Sequence, residues 1–145
     1  MIITAVPSEA LDVVWGDVER LLQKSVDISR GKYRVEDVYS GVEMGAYCLW
    51  LVLDDYDENH ASPVAAITTR IIQYPGGARA LAMDWIGGAR MKEWLPELQE
   101  TMTKYAKESQ CTHLEGYGRR AWGRWLEQYG WKPEYIAYRM ELDNG

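Results

Sequence analysis

The sequence predicts a single domain of the α/β (α+β) class, in which helices cover both faces of a mixed sheet. Two observations support this fold class. Six short stretches are rich in apolar, β-branched or aromatic residues, as buried strands are, and four others carry apolar residues at helical spacing. A chain of 145 residues, 47% of them hydrophobic, can bury about two-thirds of its unfolded surface. Residues 1–145 are therefore expected to form one domain with a substantial core.

The first half of the chain begins with a strand and two helices and continues with three strands. Residues 2–6 predict the first strand, and Ser8 can cap the helix that follows it. This helix carries an apolar face made of Leu11, Val14, Trp15, Val18 and Leu22. A polar loop leads to a second short helix around residues 35–42. Strands are then predicted at 47–53, 64–74 and 78–86, and the turn Pro75-Gly76-Gly77 joins the last two.

The second half is predicted to contain two helices and two strands. From Met91 to Ala106 the apolar residues share one helical face, and a short buried strand follows at 111–115. A compact helix then places four large apolar residues on one face: Trp122, Trp125, Leu126 and Tyr129. Gly130 is expected to end this helix, because glycine readily adopts the left-handed conformation that closes helices. Residues 135–142 predict the final strand.

Charge and composition exclude several classes of function. The net charge of −6 and the isoelectric point of about 4.9 oppose general binding to nucleic acids and to anionic membranes. No apolar run reaches the length of a membrane span, and the first residues do not have the pattern of a signal peptide. Cys48 and Cys111 each lie in a predicted strand and are interpreted as reduced core thiols, which predicts a cytoplasmic location.

The sequence predicts no metal site. The acidic turn at residues 54–60 lacks the glycine and the distal glutamate of a calcium-binding EF-hand loop. His113 lies on a predicted strand without other ligand residues at a suitable spacing.

The strand, helix, Gly-aromatic and strand at the end of the chain resemble the C-terminal half of the GNAT N-acetyltransferase superfamily. The Gly-aromatic pair is Gly130-Trp131, and the predicted element order resembles the GNAT order over essentially the whole chain. The resemblance implies a mixed, partly splayed sheet of about six to seven strands. It also implies acetyl-CoA as cofactor and a small-molecule or protein amine as acceptor.

The resemblance implies roles for particular residues. In GNAT enzymes the turn after the fourth strand binds the pyrophosphate of acetyl-CoA, because backbone amides and a helix N-terminus offer aligned donors. The corresponding stretch is Ile86-Gly87-Gly88-Ala89-Arg90, whose register and length differ from the family pattern of Arg or Gln, two residues, Gly, one residue, and Gly or Ala.

Asp84 is the candidate general base on the fourth strand. Leu126 occupies the position where the family commonly has its general-acid tyrosine. Tyr129 and Tyr117 are nearby but do not occupy that position, and Tyr129 is the candidate catalytic tyrosine.

Arg119, Arg120 and Arg124 gather at the start of the last predicted helix, where the helix dipole disfavours cations. We expect them to bind an anion or a partner, which can be a CoA phosphate, a carboxylate or a nucleic-acid phosphate. This Arg-rich and Trp-rich element also resembles small phage and prophage proteins with a GNAT-like pattern.

Two functions are therefore open. One is an acetyl-CoA-dependent N-acetyltransferase. The other is a non-catalytic GNAT-like module, encoded by a phage, that acts as a virion component or binds a phage or host protein. The location would accordingly be the host cytoplasm or the virion. An enzyme requires an open cleft between the fourth and fifth strands, whereas a structural module can fill that cleft with side chains such as Trp85 or Trp122.

Overall fold

The fold was determined from a computed structural model, which describes residues 1–55, 62–118 and 120–143. It contains five strands: β1 (Ile2–Ala5), β2 (Cys48–Leu53), β3 (Ala65–Gln73), β4 (Arg79–Gly88) and β5 (His113–Gly116). The α-helices are α1 (Leu11–Asp27), α2 (Val35–Glu43), α3 (Met91–Glu108) and the single turn α4 (Gly123–Leu126). Short 3-10 turns flank α4 on both sides. None of the helices in the described ranges has the length and apolarity that a membrane crossing requires.

The five strands form one mixed sheet in the order β1-β2-β3-β4-β5. The first four strands pair antiparallel, and β5 pairs parallel to β4. Helix α3 makes the crossover between the two parallel strands.

Helices cover both faces of the sheet, as predicted. The face under α3 is packed with large apolar side chains: Trp50, Leu81, Trp94, Leu98 and Met102. The opposite face packs against α1 and α2 through a second set: Val18, Leu22, Val38, Leu49 and Trp85. Both sets follow the apolar periodicities of the sequence, so the two-layered core confirms the predicted fold class.

A β-bulge interrupts the ladder between β3 and β4. Thr68 is paired with Trp85 and Thr69 with Met83, so Asp84 is an extra residue on β4. Met83 and Ile86 both contact the core under α3, although they are three residues apart. The bulge therefore places two consecutive residues, Asp84 and Trp85, on the α1–α2 side of the sheet.

The two parallel strands separate just where the bulge occurs. Their pairing runs from Ala80 and His113 to Met83 and Gly116, whereas β4 continues to Gly88. The last five residues of β4 consequently have no strand beside them on the β5 side within the described chain. This separation is the partial splay of the sheet that the sequence predicted.

The end of the chain differs from the prediction. The sheet has five strands rather than six to seven, because residues 131–143 form no strand. The segment predicted as the final strand is instead exposed, with Tyr138 90% and Met140 80% accessible to solvent. Gly130 has a φ of 88° and ends the last helical turn, as predicted. Cys48 and Cys111 are free thiols, also as predicted.

Candidate functional site

The main cavity of the described chain is an open cleft of about 1360 Å³. It begins where β4 and β5 separate and extends along the C-terminal half of α1 and the loop before α2. Met83, Gly116 and Gly118 border the separation of the strands, and Trp94 and Leu98 of α3 line its other side. The cleft therefore connects the two faces of the sheet.

An arginine and an aspartate form an ion pair in the cleft. Arg70 of β3 donates two hydrogen bonds to Asp84, from Nε to Oδ2 at 2.7 Å and from Nη2 to Oδ1 at 3.3 Å. The Asp84 side chain is only 9% exposed, whereas the Arg70 side chain is 38% exposed. The hydrogen bond to Asp84 is the main cause that raises the pKa of Arg70, so the guanidinium stays charged. The sequence analysis identified Asp84 but missed Arg70.

Aromatic side chains surround this ion pair. Tyr33, Tyr47, Trp85 and Tyr117 all line the cleft, and Tyr33 packs edge-on against Trp85 with 5.3 Å between the ring centroids. Burial raises the pKa of Tyr47. The neighbouring Tyr135 hydroxyl, together with burial, raises the pKa of Tyr117 to about 12. The indole Nε1 of Trp85 is buried and has no hydrogen-bond partner among the described residues.

The turn between β4 and α3 contains the predicted pyrophosphate stretch. Ile86, Gly87 and Gly88 line the cleft. A Cβ atom at Gly87 would lie 2.1 Å from the carbonyl oxygen of Leu21, so α1 crosses β4 at this glycine. Gly88 has a φ of 143°, and a Cβ atom there would lie 2.4 Å from the carbonyl oxygen of Val64. Packing against α1 and β3 thus explains both glycines.

Arg90 is positioned differently from the sequence-based expectation. It precedes the first residue of α3 with a left-handed φ of 60°, and its guanidinium bonds to Asp54 and Glu93 rather than lining the cleft. The hydrogen bond to Glu93 is the main cause that raises the pKa of Arg90. Only Ala89 and Arg90 separate β4 from α3, which makes the turn short.

The charges of the cleft differ in sign from the charge of the chain. Its described lining carries four cationic side chains, Arg20, Lys24, Lys32 and Arg70, and two carboxylates, Asp37 and Asp84. Arg20 and Lys24 flank Leu21 on α1 and therefore lie beside the Gly87 end of the cleft. A cationic cleft in a chain of net charge −6 favours an anionic ligand.

The last helical turns contribute apolar residues to the cleft. Trp122, Leu126 and Trp131 line it, and Trp131 donates from Nε1 to Gln99 Oε1 at 2.7 Å. Tyr129 packs against the core under α3 and is not among the lining residues. Tyr117, in contrast, is at the cleft.

The exposed segment after Trp131 runs towards the end of α1. Arg139 donates to the carbonyl oxygen of Arg30 at 3.1 Å, and Glu141 lies 3.8 Å from the Arg30 guanidinium.

The three arginines predicted to bind an anion are described only in part. Arg119 lies outside the described residues, and so does the side chain of Arg120. Arg124 is exposed on α4 and does not line the cleft.

The described residues contain no group of three or more His, Cys, Asp or Glu side chains that could hold a metal ion. Most of the acidic turn considered for calcium, residues 56–60, lies outside them. His113 contacts Glu115 at 3.0 Å, and Tyr74 donates to the same carboxylate. This histidine therefore belongs to a network on β5.

Comparison with solved structures identifies the fold. A probable acetyltransferase superposes with a TM-score of 0.71 at 14% sequence identity, over 100% of both chains. A ribosomal-protein-alanine N-acetyltransferase from Brucella melitensis biovar Abortus 2308 gives 0.66 at 15% identity, over 98% of this chain and 100% of the other. The chain has the GNAT fold.

A third similar structure with the GNAT fold is an aminoglycoside acetyltransferase from an uncultured soil metagenomic sample, in complex with sisomicin. It gives a TM-score of 0.66 at 9% identity and covers 98% of this chain and 96% of the other. No protein-family model and no curated protein matches the sequence. At these identities the likeness establishes the GNAT fold and leaves the activity to be argued from the cleft.

The cleft is better suited to the pantetheine arm of acetyl-CoA than to its phosphates. The separation of β4 and β5 gives the narrow pantetheine arm a passage, and the unpaired edge of β4 offers backbone groups to its amides. The short turn does not reproduce the phosphate-binding pattern of GNAT enzymes, and its Arg90 is bound to Asp54 and Glu93. Lys24 and Arg20, the latter paired with Asp17 at 2.6 Å, provide cationic groups on the α1 wall of the cleft, so the residues present fit the cofactor with a different source of positive charge.

Proposed function

We propose that this protein is an acetyl-CoA-dependent N-acetyltransferase that acts on a small-molecule amine. The observation that carries the proposal is the open cleft at the separation of β4 and β5. A non-catalytic module was expected to fill this space with Trp85 or Trp122. Trp85 packs against the core beside α1 and Trp122 lies beside Gly118. Both side chains line the cleft, which still reaches Met83 and Gly116 at the separation of the strands.

The edge of β4 beyond Met83 is suited to the pantetheine arm. Within the described chain, the backbone groups of this edge that do not pair with β3 have no partner strand on the β5 side. Unpaired backbone groups at the edge of a sheet bind extended ligands by the hydrogen bonds that a further strand would make. Bound acetyl-CoA would supply an activated acetyl group. In the transfer, the carbonyl carbon would bond to the amine nitrogen as its bond to sulfur breaks, with one proton lost by the amine and one gained by the thiol.

The phosphates of the cofactor are proposed to lie near Arg20 and Lys24. Both side chains line the cleft from α1, whose Leu21 lies against Gly87. The free amides of a helix N-terminus and nearby cations together stabilise a phosphate group. In this arrangement Arg90 contributes indirectly to phosphate binding, because its ion pairs with Asp54 and Glu93 hold the turn between β4 and α3 in place.

Two residues are proposed to act at the reacting groups. Asp84 lies at the bulge, beside the separation of the strands, where its carboxylate can hold or deprotonate the acceptor amine. Tyr117 lines the cleft, and we propose that its hydroxyl, which is hydrogen-bonded to Tyr135, turns to donate a hydrogen bond to the departing sulfur. We assign this role to Tyr117 rather than Tyr129, because Tyr129 packs in the core.

One of the similar structures is an aminoglycoside acetyltransferase in complex with sisomicin. This supports a small molecule as the acceptor.

The exposed apolar residues near the end of the chain favour the second function, a module that binds another protein. Tyr135, Ile136, Tyr138, Met140 and Leu142 are all exposed. Large exposed apolar side chains in one short segment are typical of protein interfaces. The phage origin and a location in the virion remain predictions.

The proposal is tested by calorimetric titration of the protein with acetyl-CoA. We expect micromolar binding to the unmodified chain and at least about tenfold weaker binding to Gly116→Leu. An added Cβ at Gly116 meets only the Met83 carbonyl oxygen at 3.5 Å, so the larger side chain fits the fold but occupies the cleft.

Gly16→Leu is the matched control, because Gly16 is exposed on α1, outside the cleft, with no atom within 4 Å of an added Cβ. Binding should be unchanged in this variant. No heat with the folded, unmodified protein at millimolar acetyl-CoA would refute the enzyme proposal.

A further inference from the structure

We infer that the acceptor is an α-amino acid with an aromatic side chain, bound as a zwitterion by the ion pair of Arg70 and Asp84. The inference rests on the proposed function, since it names the amine that the same cleft would acetylate. It adds a carboxylate next to the amine, which the transfer reaction itself does not require.

Arg70 retains hydrogen-bond donors for a ligand. A guanidinium has five N–H groups, and Asp84 accepts one from Nε and one from Nη2. The other N–H of Nη2 and both N–H groups of Nη1 have no acceptor within the described part of the chain. These adjacent N–H groups suit a carboxylate, which a guanidinium binds by two parallel hydrogen bonds. Because the Arg70 side chain is the more exposed partner, a ligand in the cleft can reach it.

Asp84 provides the complementary negative group. Its two carboxylate oxygens each accept one bond from Arg70, and a carboxylate has about four lone-pair positions, so acceptor sites remain for an ammonium group. The bulge sets this carboxylate at the residue after Met83, where β4 and β5 begin to separate. An amine bound there lies at the opening through which the acetyl group would be presented.

The surroundings of the ion pair favour an aromatic side chain. Tyr33 and Tyr117 line the cleft and are both exposed, at 48% and 61%. Aromatic rings pack well on such tyrosines by offset or edge-on contacts.

The cleft is unsuited to polyamines. Its described lining carries four cations and two carboxylates, and the pairing of Arg70 with Asp84 and of Arg20 with Asp17 leaves Lys24 and Lys32 with Asp37. A ligand with several positive charges would be repelled, whereas a ligand with one amine and one carboxylate carries no net charge.

The experiment is a calorimetric titration of the unmodified protein, without cofactor, with three ligands that differ by one group each. L-Phenylalanine carries both the amine and the carboxylate, 2-phenylethylamine lacks the carboxylate, and 3-phenylpropanoate lacks the amine. We expect L-phenylalanine to bind, and each of the other two to bind at least about tenfold more weakly.

Variants then locate the binding. Arg70→Gln should weaken L-phenylalanine at least about tenfold. It should not weaken 2-phenylethylamine, because it removes the cation that neutralises Asp84. Lys107→Gln is the matched control, because Lys107 is exposed on α3 and does not line the cleft. If Arg70→Gln does not fold, the double variant Arg70→Gln/Asp84→Asn removes both charges together, and L-phenylalanine should lose its advantage over the other two ligands.

The inference is overturned if 2-phenylethylamine binds as tightly as L-phenylalanine, or if L-phenylalanine does not bind at millimolar concentration. These results are independent of the acetyl-CoA titration. Binding of acetyl-CoA without binding of L-phenylalanine would leave the proposed function intact and reject the acceptor. Binding of L-phenylalanine without acetyl-CoA would support the zwitterion site and reject the transferase.

Discussion

Replacement of Gly87 by alanine should destabilise the fold, because α1 lies against this glycine. The ideal position of the added Cβ is 2.1 Å from the Leu21 carbonyl oxygen and 3.0 Å from its carbonyl carbon. Real Cβ atoms do not approach closer than 3.0 Å, so helix and strand must move apart by about 0.9 Å. Both contacts are backbone atoms, so a side-chain rotation cannot relieve the overlap.

The expected loss of stability follows from what the movement disturbs. Leu22 and Val18, both fully buried, pack between α1 and the sheet near this point. Overpacking of a core typically costs about 1–3 kcal/mol. We expect the upper end, about 3 kcal/mol, because a backbone contact of a whole helix is involved. For a domain of this size each kcal/mol shifts the melting temperature by about 2–4 °C, so Gly87→Ala should melt about 6–12 °C lower.

The assay is thermal unfolding followed by circular dichroism, repeated with urea. The control is Gly16→Ala, on the helix α1 that packs against Gly87. Gly16 is exposed with no atom within 4 Å of an added Cβ, so this change should stabilise the protein by about 0.5–1 kcal/mol through helix propensity. The opposite signs of two identical substitutions would confirm the packing role of Gly87.

A different result would refute this reasoning. If Gly87→Ala melts within about 2 °C of the unmodified protein but no longer binds acetyl-CoA, the glycine serves the approach of the ligand rather than the packing of α1. The pyrophosphate role implied by the sequence would then be the better explanation of this residue.

Three further predictions concern charge, core packing and thiol chemistry. Lys24→Gln should weaken acetyl-CoA binding about fivefold in calorimetry at low salt, and by less at high salt. Lys107→Gln, an exposed change outside the cleft, should have no effect. Equal effects of the two changes would reject the proposed phosphate position. Leu22→Ala should lower the free energy of unfolding in urea by about 2–5 kcal/mol, because Leu22 is fully buried. Val13→Ala, at an 85% exposed position of α1, should change it by no more than about 0.5 kcal/mol. A small decrease for Leu22→Ala would contradict the assignment of Leu22 to the core. Burial raises the pKa of Cys48, so less thiolate is present at a given pH. Cys48 should therefore react with a thiol reagent more slowly than free cysteine, with a rate that rises as pH increases. Rapid reaction at neutral pH in a Cys111→Ser background would show that the thiol is more accessible than the structure indicates.

The sequence predicted the order of the first eight elements because each has a strong local signal. The apolar face that includes Leu11 and Leu22 predicted α1, and the switch in period at Met91 predicted the start of α3. The last strand was predicted wrongly for a related reason. Residues 135–142 have a strand-like composition, but a strand also needs a partner, and composition contains no information about pairing.

The candidate site could be predicted only in part. Asp84, Gly87 and Gly88, which the sequence singled out, all line the cleft, and their roles stay predictions. Arg70 was missed, although the hairpin around Pro75 contained a signal. Counting back from that turn pairs Arg70 with residue 82, which puts it diagonally across from Asp84 on the neighbouring strand. The ion pair between Arg90 and Asp54 could not be predicted from the sequence, because it joins two turns that are far apart in the chain.

The bulge at Asp84 makes the chemistry of the cleft depend on the number of residues in β4 as well as on their identity. Removal of one residue between Met83 and Ile86 would restore a regular ladder without changing the hydrophobicity of the strand. Only one of the two residues Asp84 and Trp85 could then face the α1–α2 side. A lineage that gains or loses this single residue could therefore exchange one ligand specificity for another while keeping the same core, and point substitutions would not reveal that route.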